Sequence, residues 1–414
     1  MGTLCMQALA LSWKQSGGLP PGAQADLRDS TWSKINDASF VGVYVLTNTR
    51  YLAVGQLGTS FNNLRGRRLF TGGPAGTGFA WTSALSRPNV AGAAAVDVRG
   101  VAPFEGGAFV LGNAVWEDGR GGLIDTDPNA PPGPTMRDTI QYIWRYDAAT
   151  NTFTEVLSNK YNKAGVGPGS GTPYIVSIAA AGRNLAWAAW IGKIFGARPT
   201  DPTQHFDGQV TAWDGTRWTT IRPGQNAGES GFELFGLSPN QLWMTQIGSI
   251  LRYYNGQEWT ELLPFTPGVA RNLKLSMAST PGSLVVLDPR AERTAGTFRG
   301  VVAEHVWRWD AGTGQLAYNQ FKAPDGSEPS GGDVSTSSSG LTAMVWGRKS
   351  QTNLLESIVE FKGQVLGTGG WGPIDSVLCT TNSTAGPCSV VNLVALPSSA
   401  VLVSEDAGGV YYLA

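Results

Sequence analysis

The chain reads as an all-β protein: a single β-propeller of seven four-stranded blades, closed by an N-terminal strand that completes the C-terminal blade. Three observations predict this. A hairpin unit recurs, as Trp213-Asp214-Gly215-Thr216-Arg217-Trp218, as Tyr254-Asn255-Gly256-Gln257-Glu258-Trp259, and with a longer turn as Tyr146-Asp147 followed by Phe153. Helical periodicity is almost absent along the 414 residues, whereas short alternating apolar runs recur every few tens of residues. The last copy of the repeat lacks one strand, and a segment that fits the gap stands near the other end of the chain.

Each hairpin unit is an apolar strand ending in an aromatic, a polar turn, and a short strand written aromatic-x-x-aliphatic. Asp-Gly and Asn-Gly pairs supply the positive φ angles of a two-residue hairpin, and alternation gives each strand a buried side. The segment 31–36, with Trp32 and Ile35, carries the aromatic-x-x-aliphatic pattern and is read as the closing strand. The first full copy then uses 42–45, 51–54, 67–70 and 80–84. The second uses 93–96, 108–111, 142–146 and the strand around Phe153. The clearest copy runs 174–178, 185–190, 209–213 and 218–221. A compact one follows at 232–237, 241–244, 249–254 and 259–262. Two further copies occupy 273–276, 284–287, 305–309 and 316–321, then 334–336, 341–346, 357–361 and 364–366. The last has strands at 391–394, 400–403 and 409–413 and lacks its fourth. Residues 1–30 are read as an N-terminal arm and 31–414 as the propeller, with 31–36 joining the last blade, 390–414. Four short antiparallel strands of this kind form one propeller blade.

The tryptophans at strand positions, among them Trp187, Trp213, Trp218, Trp243, Trp259, Trp307 and Trp309, are expected where neighbouring blades pack face to face. They are therefore read as core and not as sugar platforms.

Composition narrows the function classes. Lys and Arg number 30 against 31 Asp and Glu, so the chain lacks the basic excess of a nucleic-acid surface. No apolar run is long enough to span a membrane as a helix. The apolar stretch 4–11 has no basic start and is short for a signal peptide. Cys379 and Cys388 flank a turn-rich segment and read equally as a hairpin disulfide or as two free thiols; Asn382-Ser383-Thr384 matches a glycosylation acceptor. An extracellular, cell-surface or particle-associated location is expected, with a cytoplasmic one left open.

In a four-strand meander the 1–2 and 3–4 turns share one end, and the 2–3 loops and inter-blade links share the other. The 2–3 connections read as long at 113–139, 191–208, 288–304 and 347–356, which makes that end the expected functional face. Its candidate ligand-binding residues are Arg120, Asp125, Asp127, Arg137, Arg198, His205, Arg290, Arg293, Arg299 and Arg348. The arginines suit an anionic group, although acidic residues in the same loops also fit a balanced solvated surface. Asp125, Asp127 and Asn129 alternate oxygen donors as calcium loops do, but the downstream acidic ligand is missing and Pro128 replaces the usual spacer, so a solvated turn is the first reading, calcium the alternative, and no cofactor is expected. With His205 and His305 the only two histidines, a histidine-based metal site is not expected.

In its aromatic-Asp-Gly and aromatic-x-x-aliphatic repeat, from Trp32 to Leu413, the chain resembles bacterial β-propellers of the broad kelch and galactose-oxidase-like group. That resemblance implies a propeller and carries over no catalytic residue: the copper-binding tyrosine and histidine set cannot be assembled from two histidines. The leading expectation is a non-enzymatic binding or assembly module that presents its loop-rich face to a protein or glycan partner, on a bacterial surface or in a phage-like particle. The alternatives are a carbohydrate-active hydrolase or lyase using Asp, Glu and Arg of that face, and a propeller lectin, for which blades this unequal in loop length are a poor fit.

Overall fold

The structure, a computed structural model, describes backbone in the strands from Trp13 to Leu413 and their tight turns; its described side chains lie mainly within 44–54, 68–72, 93–116, 140–159, 175–191, 209–221, 233–245 and 251–262. Among the described residues the regular elements are all strands, gathered into seven antiparallel sheets, most of them four-stranded. No helix among them is long and apolar enough to cross a membrane. The chain divides into two compact units, Leu19–Leu273 with Ala291–Phe298, and Met1–Gly18 with Lys274–Arg290 and Arg299–Ala414.

The larger unit holds four sheets, each a meander in chain order. The first is Ala38–Thr47, Arg50–Leu57, Arg68–Ala75 and Gly78–Leu85. The second is Ala95–Phe104, Gly107–Glu117, Asp138–Asp147 and Thr152–Asn162, with the two-residue strand Leu123–Ile124 added beside Trp116 and Glu117. The third is Tyr174–Gly182, Leu185–Ile191, Gly208–Trp213 and Trp218–Ile221; the fourth is Phe232–Ser238, Gln241–Gln246, Ile250–Tyr254 and Trp259–Leu263. The first strands of the second, third and fourth sheets pack successively on one another.

The second and third of these sheets are buried on both faces. On one side of the second sheet Val96, Val110, Trp144 and Tyr146 join Leu52 and Leu69 of the first. On its other side Phe109, Leu111 and Ile143 join Ile175, Ala188 and Trp213 of the third. The third then meets the fourth through Trp187, Ala189, Leu234 and Met244. At that junction the backbone of Gly236 lies against the Trp187 ring, in space that any Cβ would need. The half-buried ring of Trp218 packs with Val156 and Leu157 of the second sheet and donates its Nε1 hydrogen to the Val156 carbonyl, 3.3 Å away. Trp213 and Trp218 face each other at 5.5 Å, as do Tyr254 and Trp259 at 5.1 Å. The aromatic repeat is thus built into the junctions between sheets.

The repeated turns work differently from the two-residue Asp-Gly and Asn-Gly hairpins expected. Only the glycines take positive φ, +97° at both Gly215 and Gly256, while the Asp and Asn cap the turn with their side chains. Asp214 Oδ1 accepts the N–H groups of Thr216 (2.8 Å) and Arg217 (2.9 Å), and Asn255 Oδ1 accepts those of Gln257 and Glu258, both at 2.9 Å. Asp147 does the same for Ala149 and Thr150 in the longer turn, where Asn151 takes φ +54°. An Asx cap thus holds each of the three turns.

In the smaller unit, Lys274–Met277 pairs with Leu284–Thr294, and Thr297–Asp310 pairs with Gln315–Gln320. Another sheet orders Gly332–Thr336, Thr342–Lys349, Leu354–Phe361 and Gly372–Ile374. Its fourth strand is therefore Gly372–Ile374, and the segment 364–366 expected there lies outside the described residues. The remaining sheet orders Val390–Ala395, Ala400–Ser404 and Val410–Leu413, with Trp13–Gln15 as its outer strand in the register Trp13↔Leu413 and Gln15↔Tyr411. The strand that joins it comes from inside the stretch 1–30 read as an arm. The segment 31–36, read as the closing strand, lies outside the described residues. Both segments carry a tryptophan, Trp13 and Trp32, so the aromatic alone does not tell them apart.

Three expectations follow. Gly236→Ala forces a methyl group into the Trp187 ring and should cost about 1–3 kcal/mol, read as a lower denaturant midpoint. Truncating Trp218 to alanine should cost about 3 kcal/mol, the lower end for a tryptophan, because its ring keeps some exposure. Acid should act at the Asp214 turn. Its carboxyl is held down to about 2, first by the Thr216 hydroxyl and then by the Arg217 and Thr216 N–H groups. The stabilisation is complete above its ordinary value of 3.8 and is lost as pH falls through about 2. Asp214→Asn keeps the Oδ1 acceptor, as Asn255 does, and should flatten that part of the acid-unfolding profile.

Candidate functional site

Polar side chains are unevenly buried along these sheets. The end bearing the tight turns is lined by Phe109, Tyr146, Trp187, Trp213, Leu242 and Trp243, all buried. Toward the opposite end, or at mid-strand, lie the buried polar residues Arg68, Thr71, Asp97, Asn113, Gln141, Thr211, Thr245 and Arg252. Burying such groups costs free energy unless each finds a partner. Their concentration toward the end from which the longer connections leave marks that end as the candidate functional face.

The densest arrangement crosses the second sheet. Asp97 stands opposite Asn113, Asn113 opposite Gln141, and Gln141 opposite Asn159, which gives a polar row over all four strands. Residues directly opposite in an antiparallel pair share a face, and this row shares the face of Leu111 and Ile143 that is turned to the third sheet. Gln141 bridges the junction: its Nε2 donates to the Ile175 carbonyl at 3.0 Å and its Oε1 accepts the Ile175 N–H at 2.7 Å. A carboxamide thereby takes the place of a neighbouring strand's peptide group. Asp97 is fully buried, and its Oδ2 lies 2.6 Å from Nη2 of Arg99, whose side chain is 31 % exposed. Asn113 Oδ1 is buried and has no hydrogen-bond partner among the described residues.

The next sheets carry lighter versions. Trp190 Nε1 donates to Thr211 at 2.8 Å, Ser177 Oγ accepts the Leu234 N–H at 3.3 Å across the third junction, and Arg252 lies 3.6 Å from its cross-strand neighbour Glu261. The turn end is tied differently. Gly106 N–H donates to the Leu46 carbonyl of the first sheet, and the Gly106 carbonyl accepts the Ala148 N–H, both at 2.9 Å. Arg183 of the third sheet reaches Asp147 of the second at 3.2 Å. Solvent reaches this pair, so its contribution to stability is small. The Asp147 carboxyl is nonetheless held below the usual range, first by the Thr150 N–H, with Arg183 a lesser cause.

Seven residues expected at the site, Arg120, Asp125, Asp127, Asn129, Arg137, Arg198 and His205, lie outside the described residues. The other four are on strands: Arg290 and Arg293 in Leu284–Thr294, Arg299 in Thr297–Asp310, and Arg348 in Thr342–Lys349, opposite Leu355. The segments 288–304 and 347–356, expected as long loops, are thus largely strand. Apolar alternation fades through Arg290, Glu292 and Arg293, so the strand signal disappears although the pairing continues. Among the described residues no group of three or more His, Cys, Asp or Glu side chains gathers to hold a metal. Asp97, Arg99, Asn113 and Gln141 escaped sequence reasoning because Val96-Asp97-Val98-Arg99 looks like a strand with one wet face. In the fold Asp97, Asn113 and Gln141 are buried, and of these four residues Arg99 alone keeps exposure.

No protein-family model matches the chain, and no curated protein is similar to it in sequence. Solved structures do resemble it. YCF48 bound to D1 peptide is 10% identical, with a TM-score of 0.51, over 98% of this chain and 95% of that one. The GH74 xyloglucanase from Xanthomonas campestris is 11% identical, with a TM-score of 0.50, over 97% of this chain and 53% of that one. This chain therefore spans about half of the xyloglucanase. At such identity the likeness concerns the fold alone, and the fold is a β-propeller repeat. It supports the propeller part of the resemblance read from the sequence and not the kelch or galactose-oxidase group.

The Gln141 bridge yields an expectation of its own. Gln141→Leu keeps the side-chain bulk but leaves the Ile175 N–H and carbonyl unpartnered, each at about 1–3 kcal/mol. Chemical denaturation should show a loss of about 2–6 kcal/mol, and hydrogen exchange should rise first at the Ile175 amide.

Proposed function

We propose that the chain is a non-enzymatic binding or assembly module: a propeller of seven blades, closed by its N-terminal strand, that presents the loop-bearing end to a protein partner. The observation that carries this reading is the gathering of buried polar side chains toward that end, led by Asp97, Asn113 and Gln141. The likeness to YCF48, a structure that holds a bound peptide, supports the reading, since it runs nearly the full length of both chains. Among described carboxylates, Asp147 and Asp214 are shifted downward by turn hydrogen bonds, which suits caps and not general acids. A module of this kind would act on a cell surface or within a particle. The carbohydrate-active alternative rests on the fold shared with the xyloglucanase.

The two readings separate in one experiment. Affinity-tagged full-length protein is recovered from its native source under mild cross-linking, and the same preparation is offered a panel of polysaccharides. The expected outcome is a stoichiometric protein complex with no sugar release. A free monomer that turns over a glycan would overturn the proposal.

A further inference from the structure

Asn255-Gly256 is the only Asn-Gly pair in the 414 residues. It lies in the turn between Ile250–Tyr254 and Trp259–Leu263 of the fourth sheet, where Asn255 is exposed. The sister turn of the third sheet, between Gly208–Trp213 and Trp218–Ile221, carries Asp214-Gly215 in the same place. The two turns agree in detail. In each, the glycine takes φ +97°, and the N–H of the residue before it donates to the carbonyl three residues on, at 3.2 Å. In each, that residue's Oδ1 accepts the N–H groups of the two residues after the glycine. An aspartate and an asparagine therefore fill equivalent caps.

Three features of the Asn255 turn bear on its chemistry. The N–H groups of Gln257 and Glu258, both 2.9 Å from Oδ1, draw electron density from the carboxamide carbon, and they stand ready for any negative charge arriving on that oxygen. Among the described residues, neither the Gly256 N–H nor Asn255 Nδ2 has a hydrogen-bond partner, so the nitrogen next to the carboxamide and the nitrogen it carries are both untied. Position 256 also has no Cβ to crowd its own nitrogen, and a Cβ there would run into Asn240 Oδ1.

We propose that Asn255 is a self-modification site, at which the folded turn converts asparagine to aspartate by intramolecular deamidation. Base takes the Gly256 N–H proton, and the freed electron pair on that nitrogen attacks Asn255 Cγ. The Cγ–Nδ2 bond breaks and Nδ2 leaves as ammonia, taking a proton from water, which closes a five-membered succinimide. Water then opens the ring. Cleavage of the new Cγ–N bond gives aspartate on the original backbone, and cleavage of the old backbone C–N bond gives isoaspartate. In sum, asparagine and water become aspartate and ammonia, with no oxidant or reductant. The aspartate product keeps the cap, as Asp214 does in the sister turn, and brings a negative charge to the turn end. The isoaspartate product puts a methylene into the backbone between Tyr254 and Gly256, which the pairing of Tyr254 with Trp259 does not accommodate. Asp214 escapes the matching isomerisation, because its carboxyl, held down to about 2, is ionised at neutral pH and a carboxylate is a poor electrophile.

The test incubates the full folded chain at neutral and mildly alkaline pH and follows each asparagine by peptide mass spectrometry, beside the same chain held unfolded in urea. Position 255 should turn acidic first, ahead of Asn151 and Asn240, whose next residues, Thr152 and Gln241, carry side chains. Its rate should rise with hydroxide concentration and be at least as fast in the folded chain as in the unfolded one. Asn255→Gln, which would have to close a six-membered ring, should convert about tenfold more slowly or less, as when reacting atoms lose their near-attack placement. Should that variant lose its fold, the folded-against-unfolded comparison in wild type decides. Asn255→Asp should keep the wild-type thermal midpoint, whereas the separated isoaspartate form should melt lower. Conversion confined to the unfolded chain, no preference for position 255, equal conversion in Asn255→Gln, or a lowered midpoint in Asn255→Asp would overturn the inference.

Discussion

Because each inner sheet of the larger unit is covered on both faces, a strand there has no solvent side along most of its length. Every residue between the ends must be apolar, small enough to be overlaid, or hydrogen-bonded. Trp187 against Gly236 is the clearest case, a large ring accommodated only because the facing residue has no side chain. The aromatic end of each sheet follows from this demand, since wide rings fill the gap between sheets with few conformational degrees of freedom.

The same constraint explains why polar residues occur in pairs and rows. Gln141 is tolerated because Ile175 offers it a donor and an acceptor, and Ser177 because Leu234 offers a donor. Each contact joins one sheet to the next, so a polar group buried in one sheet helps fix the position of its neighbour. The junction between second and third sheets is held by Gln141 within the core, by Trp218 on the Val156 carbonyl, and by Arg183 on Asp147 at the turns.

Much of this fold was legible in the residues. Trp213 through Trp218 and Tyr254 through Trp259 announced their hairpins, and the division into four-strand copies matches the sheets from Ala38 to Leu263. What was not legible has physical causes. Gly372–Ile374 lacks an aromatic or alternating signal, and the strands through Arg290 and Arg299 continue as pairs where the apolar rhythm stops. The site was less legible still. Loop composition drew attention to Arg120, Asp125 and His205, whereas Asp97 and Asn113 hid in strands whose second face looked wet. A strand sandwiched between sheets cannot be recognised from its own alternation, because the covering layer lies far away in sequence.

The two ends of the sheets live under different rules. At the turn end, Gly106 bonds to Leu46 on one side and Ala148 on the other, so turns from adjoining sheets share hydrogen bonds and an added residue would break contacts in its neighbours as well as its own. The opposite end carries buried polar side chains in place of the aromatic rings, Asp97, Asn113 and Gln141 among them. A length change at the turn end would therefore be felt in two sheets at once, which makes that end a poor place for an engineered insertion.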